Sequence, residues 1–95
     1  MNTTFLFQKT PKEINMVIAD RIRTIRKRRR MSQVELSEKS GVSLGSVKRF
    51  ERSGDISLIS LTKIAKALDI SNELENLFAE VKPQSIEEIL NGQIE

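Results

Sequence analysis

Residues 32–51, which read Ser32-Gln33-Val34-Glu35-Leu36-Ser37-Glu38-Lys39-Ser40-Gly41-Val42-Ser43-Leu44-Gly45-Ser46-Val47-Lys48-Arg49-Phe50-Glu51, decide the fold. Ser32 is a good helix N-cap, and Glu35 three residues later completes a capping box, in which each side chain serves the other residue's backbone N–H. Leu36 opens an apolar stripe. Gly41 stands where this helix must stop, because glycine enters the left-handed region without a Cβ penalty. Ser43 caps a second helix only two residues later. So short a turn forbids antiparallel packing and forces the two helices to cross steeply. Val47 and Phe50, three residues apart, face inward on the second helix.

Two short helices crossing at a tight turn form a helix-turn-helix unit, whose second helix enters the major groove of DNA. From about 18 to 78 the chain resembles the Cro/CI-like (XRE-type) DNA-binding domain of phage and bacterial regulators. The Ser32-Gln33 start, the Gly41-Val42-Ser43 turn, the Phe50-Glu51-Arg52 exit and the Ile64-Ala65-Lys66-Ala67-Leu68 helix follow in that family's order and spacing without a gap. Ser37 departs from the pattern, since the family prefers Ala at the tight crossing, but serine is small enough to fit. The resemblance implies an all-α, lambda-repressor-like five-helix domain.

Working outward, Thr10-Pro11-Lys12-Glu13 opens the first helix, with Thr10 as cap, Pro11 in the first position and Glu13 closing a second capping box. Ile14, Val17 or Ile18, Ile22 and Ile25 follow at helical spacing, which predicts a helix from 11 to about 30. The second and third helices are expected over 33–40 and 44–52. Ser57 caps a fourth, with Leu58, Leu61, Ile64, Ala65 and Leu68 on one face. Ser71 caps a fifth over 72–78, whose Leu74, Leu77 and Phe78 close the core. These helices make 11–80 the DNA-binding domain. Residues 1–10 read as an N-terminal tail or short strand. Residues 81–95 read as a C-terminal tail with a short helix, since Lys82-Pro83 breaks the chain before the capping box Ser85-Ile86-Glu87-Glu88.

The 95 residues suffice for one small domain. The chain has no Cys, His or Tyr, which removes thiolate metal sites, the commonest general base and the best nucleophile. It has no Gly-rich phosphate loop either. No enzymatic activity, cofactor or metal is expected. No apolar run approaches the roughly 20 residues of a membrane span. The N-terminus lacks the basic start and long apolar stretch of a signal peptide, so a cytoplasmic protein is expected. The net charge of +3 hides a strong asymmetry. Residues 1–66 hold 15 Lys/Arg against 6 Asp/Glu, whereas residues 67–95 hold 1 against 7. The basic part coincides with the helix-turn-helix, as a phosphate-binding face requires.

Resemblance and helical geometry together place Leu44, Gly45, Ser46, Lys48 and Arg49 at base edges. Arg49 is suited to bidentate pairing with guanine, Lys48 can donate to it, and Leu44 can meet a thymine methyl. The resemblance gives Gln33 and Arg52 phosphate contacts, and Ser43 a cap or a phosphate contact. It also pairs Arg26 with Glu51 as an ion bridge between the first and third helices, holding Arg26 near the DNA backbone. The basic run adds Arg28 and Arg30 as phosphate ligands, although consecutive charges on a helix cannot all point one way. Phe5, Leu6, Phe7, Ile86, Ile89 and Leu90 are apolar ends outside the family core, fit to complete a dimer or dock a partner. The expected function is sequence-specific transcriptional regulation by a homodimer on double-stranded operator DNA. The resemblance of residues 43–52 and of the acidic tail to HipB-type antitoxins adds autorepression and a HipA-like kinase toxin as partner. The alternatives are a stand-alone or phage-type repressor, or a protein-interaction module that has lost DNA binding.

Overall fold

The computed structural model describes residues 8–80 and residue 92. Five helices follow one another: α1 (Pro11–Arg28), α2 (Gln33–Ser40), α3 (Leu44–Ser53), α4 (Leu58–Ala67) and α5 (Ser71–Glu75). No strand occurs among the described residues. The all-α architecture is that of the lambda-repressor-like reading. The expected C-terminal helix and the ends Phe5, Leu6, Phe7, Ile86, Ile89 and Leu90 lie outside the described residues.

Each of the first four helices starts at a hydroxyl cap. Thr10 and Ser32 form complete capping boxes with Glu13 and Glu35. Ser43 and Ser57 accept from the backbone N–H groups of Ser46 and Ser60, both at 3.2 Å. Two helices end at glycines in the left-handed region, α2 at Gly41 (φ 76°) and α3 at Gly54 (φ 79°). Gly54 has a second constraint, since a Cβ there would lie 2.9 Å from Asn15 Cβ on α1.

The core comprises Ala19 and Ile22 from α1, Leu36 from α2, Val42 in the turn, Val47 and Phe50 from α3, and Ile64, Ala67 and Leu68 from α4 and its end. α1 packs on α3, α2 packs on both α3 and α4, and α5 packs on α4. Ser37, at the crossing of α2 and α3, donates its hydroxyl to the Val42 carbonyl at 2.6 Å. The serine thus satisfies a carbonyl of the turn that alanine would leave to other partners.

Four expectations differ from the structure. The buried face of α1 runs through Ala19, Ile22 and Arg26, leaving Ile14 and Ile18 exposed. An apolar-only periodicity is out of phase here because a charged residue occupies the core stripe. α1 also stops at Arg28, where Arg30 turns left-handed (φ 54°) and the N–H groups of Arg30 and Met31 return to the carbonyls of Lys27 and Arg26. Leu58, the first residue of α4, is 71% exposed and off the core. Finally, α5 ends at Glu75 and starts without a side-chain cap, its N-cap being Ile70 rather than Ser71. Leu77 and Phe78, instead of closing the core, are 53% and 87% exposed.

Candidate nucleic-acid interface

The interface is built on α3, because its inward side is fully committed. Val47, Phe50 and Glu51 are buried. Helical spacing then puts Gly45, Lys48, Arg49 and Arg52, at i, i+3, i+4 and i+7, on one outward stripe, and all four are exposed. Leu44 and Ser46 are half-buried at its margin. Ser43 donates its hydroxyl to Ser46 Oγ at 2.9 Å while accepting the Ser46 N–H, so Ser46 keeps a hydroxyl proton to give outward. The stripe therefore carries three cations, a hydroxyl and one position without a side chain.

What fixes α3 relative to α1 and α2 is a polar cluster around Glu51. Arg26 Nε donates to Glu51 Oε2 and Arg26 Nη2 to Glu51 Oε1, both at 2.8 Å, a bidentate pair. The third guanidinium nitrogen, Nη1, donates to the Met31 carbonyl at 2.8 Å. Gln33 Nε2 adds a donation to Glu51 Oε1 at 3.2 Å. No buried polar side-chain atom among the described residues is left without a partner.

This cluster corrects one assignment. Arg26 is only 7% exposed, and each of its three nitrogens donates inside the domain, so its guanidinium is committed to Glu51 and Met31 rather than presented to a phosphate. Arg28 also stands apart. Two residues round the helix, it is turned by about 200° from Arg26 and lines a cavity between α1, α4 and α5 together with Arg21. Arg30 is exposed at the end of α1. Gln33 is half-buried at the N-terminus of α2, where the first backbone N–H groups find no acceptor within the helix and the helix dipole favours an anion.

Sequence reasoning missed Arg23. Its Nε lies 3.9 Å from Glu51 Oε1, and its side chain is half exposed. Arg23 thus brings a cation to the side of α1 where Gln33 and the end of α3 meet. The signal was its spacing of three from Arg26, which puts both on one helix face, but the denser run at 26–30 drew the reading away.

No group of acidic, Cys or His side chains among the described residues is arranged to hold a metal ion. No helix there is long and apolar enough to cross a membrane. The helix-turn-helix family model matches residues 22–71, from the middle of α1 to the start of α5 and more than half of the chain. No curated protein and no solved structure matches it. With the caps, the tight turn and the cationic outer stripe of α3 in place, the match identifies the chain as a member of the XRE-type helix-turn-helix family of DNA-binding transcriptional regulators.

Proposed function

We propose that the protein is a sequence-specific repressor that binds operator DNA as a homodimer, with α3 reading bases in the major groove. The observation that carries this reading is the outward stripe of Gly45, Lys48, Arg49 and Arg52 on a helix whose other side is locked to α1 through Arg26 and Glu51. Arg49 and Lys48 supply base-edge donors, Ser46 a further donor, and Leu44 an apolar contact. Arg52, Gln33, Ser43, Arg30 and Arg23 serve phosphates, which set register and affinity. Two such units on half-sites about 34 Å apart read enough sequence to define an operator. The reading assigns no catalytic step to the chain.

Selection of bound duplexes from a random library by the purified protein tests the proposal. An inverted repeat with fixed half-site spacing is the expected product, whereas an unenriched pool would show that binding is not sequence-specific. The finer biological role we infer is that of an autorepressing antitoxin paired with a HipA-like kinase. Its support is the resemblance of residues 43–52 together with the acidic character of residues 67–95. Co-purification of the neighbouring gene product with the tagged full chain is the corresponding test, and failure of that capture would leave a stand-alone repressor.

A further inference from the structure

Gly45 stands on the outward stripe of α3 without a reason that the fold supplies. Gly41 and Gly54 end helices in the left-handed region, and Gly54 also lies against Asn15. Gly45 does neither. It is the second residue of α3, its φ is not positive, and a Cβ built on it meets no atom within 4 Å. Glycine in a helix has a cost, because it loses more conformational freedom on folding than alanine does. Neither backbone geometry nor packing inside the domain offsets that cost. What glycine offers in exchange is close approach of the backbone to something outside the chain. The place of Gly45 indicates what that is. It precedes Lys48 and Arg49 by one turn on the exposed stripe, and the first residues of an inserted helix are those that reach base edges. Half-buried Leu44 flanks it, and the next turn projects the two cations, so the bare Cα is the floor of a shallow hollow. That floor has no polar side chain and selects by shape and apolar contact. The projecting apolar group in the major groove is the C5-methyl of thymine.

We propose that Gly45 is a specificity-determining residue, whose bare Cα seats the C5-methyl of one thymine in each half-site. This rests on the sequence-specific reading above and adds the identity of one base to it. Gly45→Ala puts a methyl group into the hollow while favouring the helix, so stability and binding should move in opposite directions. The melting temperature of the full chain should rise by about 2–5 °C. Affinity for the selected operator should fall about tenfold or more. Affinity for a scrambled duplex should hold, since phosphate contacts supply it. Thymines of the operator are then replaced by uracil, one symmetric pair at a time, which keeps the base pairing and removes the methyl. At one such pair the replacement should weaken the wild type several-fold and return most of the loss to Gly45→Ala. Unchanged operator affinity of Gly45→Ala would overturn the proposal, as would equal losses on the two duplexes or a loss that no uracil relieves. A lowered melting temperature would also overturn it, by assigning the glycine to the fold. These results leave the sequence-specific reading standing. A wild type that selects no operator would defeat that reading, and this proposal with it.

Discussion

Arg26 places an ion where the pattern of the helix calls for a hydrocarbon, and that choice governs its neighbours. With Arg26 and Glu51 only 7% and 6% exposed, each depends on the other for its charge to be tolerated. Glu51→Ala leaves a buried guanidinium unpaired and is expected to cost about 3–5 kcal/mol, a large part of the 5–15 kcal/mol typical of a whole domain. Arg26→Met combined with Glu51→Leu removes both charges and should cost clearly less than the sum of the single changes. Urea unfolding of the wild type, Glu51→Ala, Arg26→Met, Glu51→Leu and the double variant checks this, and a loss below about 1 kcal/mol for Glu51→Ala, the worth of a surface pair, would contradict it. The glycines offer a second comparison at the same scale. Gly41→Ala meets only backbone strain, because nothing lies within 4 Å of its added Cβ. Gly54→Ala meets the same strain and also the backbone of Asn15 at 3.0 Å. The expected losses are about 1 kcal/mol at Gly41 and distinctly more at Gly54, where α1 must shift. Equal melting temperatures for the two variants would refute the second constraint.

At the scale of elements, the starts of helices were legible and some ends were not. Thr10, Ser32, Ser43 and Ser57 announce their helices by chemistry that is local in sequence, and each caps as read. Gly41 marks an end in the same local way. Arg30 and Asp69 do not, because they enter the left-handed region without being glycine, held there by pairs of returning N–H bonds that only the folded chain supplies. The short α5 was misread for a related reason. Leu74, Leu77 and Phe78 have helical spacing, but the chain leaves the helix after Glu75 and turns the last two outward. For the candidate site, the α3 stripe follows from periodicity alone, whereas the burial of Arg26 and the place of Arg23 depend on how α1 packs against α3. The division of labour between α3 and the end of α1 yields a prediction. Arg49→Ala should cost about 1–3 kcal/mol on the selected operator and relax preference at one base pair. Arg30→Gly, chosen because glycine suits the left-handed backbone there, should weaken operator and scrambled duplex alike and lower the salt slope by about one. Titrations of both variants on both duplexes test this, and equal losses for Arg49→Ala on the two would count against base readout.

For the whole molecule, the decisive fact is that the buried hydrophobic core among the described residues runs from Ala19 to Leu68. Every residue of that core lies on α1 to α4, in the turn between α2 and α3, or at the end of α4. Residues 81–95 hold one Lys and three Glu, a balance of −2, so removing them takes the chain from +3 to +5. A chain ending at Glu80 keeps every cation of α1 and α3 as well as Leu77 and Phe78. It should therefore melt cooperatively within about 4 °C of the full chain, the shift that roughly 1 kcal/mol causes in a domain of this size. It should bind non-specific duplex at least as tightly, because the lost charge was net repulsive toward phosphate. The slope of log affinity against log salt should stay the same, since that slope counts phosphates neutralised and no neutralising residue on α1 or α3 has been removed. Circular-dichroism melting and fluorescence-anisotropy titrations at several salt concentrations measure the three quantities on the same samples. A truncated chain that fails to fold would place residues 81–95 in the core. One that folds but binds with a shallower slope would instead place a phosphate contact on the removed Lys82.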